Sequence, residues 1–146
     1  KYAPGTVASF ITSLIFIIFY NFQTNIIFLI LSVSLIFIFS VYSIDKYKKN
    51  FNEIDAKEIV IDEFVGQSVP ILTIYSFVPK NSIATFVVLV IISFILFRLF
   101  DITKPYPINK IDKNMKNGFG VMFDDIVAGI YSSIVLIIIV SFLRYE

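Results

Sequence analysis

The chain has 146 residues, enough for one domain, and 58% of them are hydrophobic while only 16% carry charge. A soluble domain has about a quarter of its residues charged, so the surplus apolar surface implies lipid contact. The net charge is +1, and Lys and Arg fall in loops rather than on one amphipathic face, which gives no case for a nucleic-acid partner. There is no Cys and no His. Thiol nucleophiles, phosphohistidine chemistry, Ser-His-Asp triads and thiolate or imidazole zinc sites are therefore excluded. Chemistry is left to carboxylates, Lys, Arg, hydroxyls, the backbone and a hard metal.

In chain order, KYAPGTVAS (residues 1–9) reads as a turn and a helix start, with Pro4 in the first turn and Thr6 as a candidate cap. The chain begins with Lys, so a preceding segment is expected. Residues 10–20 are apolar, lack a small-residue cleavage site and are followed by further spans, unlike a secretory signal. A polar turn, NFQTN (21–25), leads to residues 26–44, the clearest span, where unbroken apolarity decides for helix. Residues 45–52 are a charged exit. Residues 55–66 read as a helix on which Glu58 and Asp62 share a face. Residues 65–78 form the weakest span, with Pro70 near its start, and 82–100 another, uncharged until Arg98. Lys104-Pro105 and Tyr106-Pro107 oppose helix continuation and push the preceding residues toward extended backbone. Asn117-Gly118 and Gly120 mark a second turn. Asp124-Asp125 then opens the last apolar segment, where acids are favoured by the helix dipole. The expected fold is all-α, an integral membrane helical bundle of about four to five apolar helices, with residues 1–146 as a single domain.

Loop charge orients this bundle. Lys46, Lys48, Lys49 and Lys57 lie on one connection, and Lys104, Lys110, Lys113 and Lys116 on another, whereas the opposite turns hold only Lys80. By the positive-inside rule both acidic clusters face the cytoplasm, which requires residues 65–78 to cross.

Six acids are candidates for the chemistry: Glu58, Asp62, Glu63, Asp101, Asp124 and Asp125. An all-oxygen set suits Mg²⁺ or Mn²⁺, and Mg²⁺ typically takes only one or two protein carboxylates and keeps waters, so not all need be ligands. Arg98 and Asp101, three apart on one helical face, can pair, or Arg98 can clamp a phosphate, with Lys104 as a second phosphate partner. Such a set makes a metal-dependent phosphoryl site. Plainer roles fit the same residues: a helix cap for Asp124-Asp125, a solvated charge for Glu58, a snorkelling anchor for Arg98. Spacing alone leaves a polyacid site in a helical membrane protein. A cation transporter or channel subunit using the same carboxylates as ion ligands then stands beside an enzyme.

Three segments together decide further. IVIDEFVGQ (59–67), FRLFDITKPYPI (97–108) and GFGVMFDDIVAGIYS (118–132), preceded by APGTVAS (3–9), resemble the phosphatidylglycerophosphatase A family. Ala8 stands where that family commonly has Gly. The motifs occur in order and span nearly the whole chain. The resemblance implies an all-helical integral membrane enzyme that removes the terminal phosphate of phosphatidylglycerophosphate, with Mg²⁺ required. The active site would face the cytoplasm from the inner membrane, among membrane lipids. Carried over by motif, Asp62, Glu63, Asp101, Asp124 and Asp125 are the catalytic acids, with Asp62, Asp101, Asp124 and Asp125 as metal ligands. Arg98 and Lys104 are the phosphate contacts.

Overall fold

The computed structural model describes residues 3–47 and 59–144. Among them it is all-helical, with α1 (Pro4–Asn21), α2 (Ile26–Tyr47), α3 (Ile61–Phe77), α4 (Ile83–Thr103), α5 (Ile108–Asn114) and α6 (Gly118–Arg144). Four of these, α1, α2, α4 and α6, are long and apolar enough to cross a membrane. Their exposed faces carry large apolar side chains such as Phe28, Leu35, Val88, Ile95 and Ile134, as a lipid-facing surface requires. This is a membrane protein. The connection that carries Lys48, Lys49, Lys57 and Glu58, with the expected helix start at Asp55, lies outside the described residues.

The helices alternate in direction. Glu63 at the start of α3 lies against Gly5 at the start of α1, and the Tyr75 hydroxyl near the end of α3 donates to the Phe19 carbonyl near the end of α1. α1 and α3 therefore run parallel. Thr73 and Ser133 bond across α3 and α6 at 3.1 Å, setting α6 in the same direction. α2 and α4 run the other way. The starts of α1, α3 and α6, the ends of α2 and α4, and the short α5 thus gather at one end of the bundle.

α3 lies in the middle. Its buried residues run from Asp62 through Val65, Gly66, Gln67 and Ser68 to Pro70, Ile71, Ile74 and Tyr75. It has 17 residues, roughly 25 Å at helical rise. Pro70 sits in its interior rather than near the start of a span. A proline there removes the donor to the carbonyl four residues back, that of Gly66. α6 packs onto this carbonyl: a Cβ at Gly129 would stand 2.4 Å from the Gly66 oxygen. A Cβ at Gly66 would in turn meet the Asp125 backbone and the Phe97 ring at 2.8 Å. Two glycines thus let α3 and α6 touch backbone to backbone, the small-residue mode of membrane helix packing. At the far end Tyr20 stacks on Phe86 with ring centroids 3.8 Å apart and donates to the Pro79 carbonyl. Lys80 lies 3.6 Å from the Tyr75 ring centre.

Several local expectations change. α1 starts at Pro4 with Ala3 as its cap residue and no side-chain cap bond, so Thr6 does not cap. α2 continues through Asp45 to Tyr47. The segment 108–114 is a helix, α5, rather than loop. Lys104 is not extended but left-handed, with φ 39°, and its N–H bonds to the Phe100 carbonyl. That is the closing turn of a helix ended by a following proline. The largest change concerns α6, which begins at Gly118 and not at the acid pair. Asn117 accepts from the Gly120 N–H at 2.8 Å, and Asp45 at the end of α2 accepts from the Gly118 N–H at 2.8 Å. With both caps supplied from outside, Asp124 and Asp125 lie inside the helix and are no cap.

Candidate active site

The acids collect where α3, α4 and α6 meet. Asp62 and Glu63 stand in the first turn of α3. One carboxylate oxygen from each of Asp62, Glu63 and Asp125 falls within 4.8 Å of the others. Asp62 is 7% exposed and Asp125 4%. Glu63 Oε2 and Asp125 Oδ2 are buried without a hydrogen-bond partner. Buried carboxylates that converge repel one another and keep unspent acceptor capacity, and a bound cation answers both. An all-oxygen donor set suits a hard divalent ion. Asp62, Glu63 and Asp125 therefore fit a metal ion.

Close approach of the helices makes this cluster possible. A Cβ at Gly5 would fall 1.7 Å from the Glu63 Oε1 atom, so α1 must present bare backbone there. Gly66 does the same for Asp125.

Two cations flank the acids. Arg98, in the last turns of α4, lies 2.7 Å from Asp101 and 4.0 Å from Glu63. Its side chain is only 16% exposed, which rules out a snorkelling anchor. The Asp101 contact is an ion pair without hydrogen-bond direction, because neither Nε nor Nη1 has an acceptor in bonding geometry. Lys104 reaches back from its left-handed turn to Asp124 at 2.8 Å and Asp112 at 3.1 Å. Burial would lower the pKa of its ammonium, but hydrogen bonds and charge from Asp124 and Asp112 outweigh this and hold it above the ordinary value. Lys104 thus stays charged at any physiological pH.

The expected residues fall into two groups. Asp62, Glu63 and Asp125 form the compact group, with Arg98 and Asp101 at its edge; Asp101, Asp62 and Asp124 all act electrostatically on Asp125. Asp124, though adjacent in sequence, faces Lys104. Glu58 lies outside the described residues. Three participants were not assigned from sequence: Asp112, Gln67 and Gly5. Asp112 is found only once α5 is known to fold back on Lys104. Gln67 is fully buried one turn below Glu63 and donates to Ser93 at 3.2 Å and weakly to Ser13 at 3.4 Å. Its place as the one amide in an apolar run was a usable signal. Gly5 stands in the APGTVAS motif, and only the packing of α1 on Glu63 gives the reason for a glycine there.

Fold and site together define a helical membrane protein with a buried polyacid centre bordered by Arg and Lys. Residues 1–140 match the family model described as Phosphatidylglycerophosphatase A. A Haemophilus influenzae protein named phosphatidylglycerophosphatase A is 36% identical over 92% of this chain and 77% of its own length. The Escherichia coli protein of the same name is 35% identical over 66% of this chain and 51% of its own. A Bacteroides thetaiotaomicron protein, provisionally named a phosphatidylinositol-3-phosphatase, is 36% identical over 92% of this chain and 82% of its own. No solved structure matches. The chain belongs to the phosphatidylglycerophosphatase A family. It is an enzyme, a phosphatase, which sets aside the transporter reading.

Proposed function

We propose that this chain, acting as one domain, hydrolyses the terminal phosphomonoester of phosphatidylglycerophosphate to phosphatidylglycerol and inorganic phosphate. The observation that carries the reading is the cluster of Asp62, Glu63 and Asp125 beside a buried Arg98 with undirected donors. Water adds to phosphorus, the bond from phosphorus to the glycerol oxygen breaks, and that oxygen leaves with a proton. Asp62, Glu63 and Asp125 would hold the metal, for which Mg²⁺ suits the oxygen donors. When bound, such an ion polarises a phosphoryl oxygen and activates water.

The chain's own groups do the rest. Arg98 offers a planar fork to two phosphate oxygens as it turns from Asp101. Asp101 fixes the approach of Arg98. Lys104, shared between Asp112 and Asp124, supplies a second positive charge at the rim. Asp124 keeps that ammonium in place rather than joining the metal. The site would open to the cytoplasmic side of the inner membrane, where Lys46, Lys110, Lys113 and Lys116 gather.

The deciding assay gives purified chain in detergent phosphatidylglycerophosphate with Mg²⁺ and follows phosphate release, with EDTA as control. Phosphatidylinositol 3-phosphate and phosphatidate serve as competing substrates. Release from phosphatidylglycerophosphate that EDTA abolishes is expected. Faster release from the inositol lipid would transfer the reading to that substrate.

A further inference from the structure

Among the described residues, buried side-chain atoms without a hydrogen-bond partner belong to four residues: Glu63, Gln67, Arg98 and Asp125. Three of these form the site described above. Gln67 is the fourth, and no step of the hydrolysis uses it. It is fully buried and follows Glu63 by one turn of α3, on the same face.

The hydroxyls around it fix the direction of its amide. Ser13 on α1 donates its proton to the Ser9 carbonyl at 3.0 Å, and Ser93 on α4 donates its own to the Val90 carbonyl at 2.7 Å. Each hydroxyl oxygen can then only accept. The N–H groups of the Gln67 amide answer them, at 3.4 and 3.2 Å. Its carbonyl oxygen is turned away, buried, with no donor. One long and one ordinary hydrogen bond, set against an unanswered buried acceptor, do not favour stability. An apolar side chain of the same shape would serve packing at least as well. A polar group kept against its local cost points to function.

Its reach shows which function. The amide joins α1, α3 and α4 at one level, just inside the acid end of the bundle. Those helices carry the groups that meet there. α1 presents Gly5 to the Glu63 carboxylate of α3, and α4 brings Arg98, five residues past Ser93, to 4.0 Å from Glu63. By contrast, the Thr73–Ser133 bond joins only α3 and α6, and the group of Tyr20, Tyr75 and Lys80 lies at the far end.

We propose that Gln67 is a positioning residue of this phosphatase. Its amide sets the height of α1 and α4 on α3 and so holds the Glu63 carboxylate and the Arg98 guanidinium in register. The inference rests on the lipid-phosphatase reading above.

Gln67→Met keeps the length and approximate volume of the side chain and removes both the donors and the unanswered acceptor. In the full chain in detergent, its unfolding midpoint should equal or exceed that of the unaltered chain. Its kcat for phosphatidylglycerophosphate should fall at least about tenfold, because a small misplacement of the reacting groups slows the chemistry. Mn²⁺ affinity, followed by electron paramagnetic resonance, should weaken several-fold as Glu63 loses its fixed place. A lowered midpoint, an unchanged kcat or an unchanged Mn²⁺ affinity each overturns the proposal, the first by leaving Gln67 as a packing group. Ser93→Ala should lose part of kcat and add less than about twofold in the Gln67→Met background. Losses that multiply independently overturn it as well. If the unaltered chain releases no phosphate from any lipid, the hydrolysis reading fails, and the midpoint and Mn²⁺ readouts alone decide the place of Gln67.

Discussion

Two aspartates that touch in sequence part in space. Asp125 faces Asp62 and Glu63, while Asp124 is tied to Lys104. Their isosteric amides should therefore fail differently. Asp125→Asn removes a proposed metal donor, so Mn²⁺ binding followed by electron paramagnetic resonance should weaken at least about tenfold, and turnover with it. Asp124→Asn should keep Mn²⁺ affinity and lose activity through a released Lys104, seen mainly in KM. The same affinity loss in both variants would put Asp124 back among the ligands. Arg98→Lys tests the clamp. A point charge keeps the pairing with Asp101 but not the planar fork, so kcat/KM should drop at least about tenfold with thermal stability unchanged. Free substitution would return Arg98 to a purely structural role.

At the scale of the helix, glycines decide. A Cβ at Gly5 meets the far end of a flexible side chain, the Glu63 carboxylate; at Gly66 it meets Asp125 backbone and a packed ring. Gly5→Ala should thus displace Glu63 and cost activity while the bundle keeps its melting temperature. Gly66→Ala should push α3 from α6 and cost about 1–3 kcal/mol of stability, read as a lower unfolding midpoint in detergent. Reversed outcomes would show that Glu63 is rigid and the α3–α6 contact pliable. The same contrast explains what the sequence could reveal. The spans at 26–44 and 82–100 were legible because unbroken apolarity needs no context. The Arg98–Asp101 pair was legible because a three-residue spacing on a helix is local. The start of α6 was not, because the Asn117 cap is completed by Asp45, 73 residues away. With that acceptor unseen, Asp124-Asp125 resembled a cap. Lys104 before a proline looked extended; its left-handed turn closes α4 and lets the ammonium reach Asp112 and Asp124, which only the fold supplies. The grouping of Asp125 with Asp62 and Glu63, and of Asp124 with Lys104, depends on how α3 meets α6, and no spacing encodes it.

For the whole molecule, alternation of helix direction puts Lys46 and Lys113 on one side and Asn81 on the other. The chain lacks Cys, so Lys46→Cys, Lys113→Cys and Asn81→Cys can each be labelled alone with a membrane-impermeant maleimide. In right-side-out cells Asn81→Cys should react and the other two should stay protected until lysis. Labelling of Lys46→Cys and Lys113→Cys from opposite sides would break the shared site. The central position of α3 also governs how such a chain is made. Hydroxyls on α1, α2 and α6 fold back onto carbonyls of their own helices, as at Ser9, Ser32 and Ser132. These helices leave the insertion machinery with many polar groups already answered. The Gln67 amide looks instead to Ser13 on α1 and Ser93 on α4, and the Asp62 and Glu63 carboxylates lie near residues of α4 and α6, synthesised later. α3 therefore lacks its α4 and α6 partners when it is first translated. Asp125 lies on the last helix, so Asp62, Glu63 and Asp125 can come together only once α6 has been made.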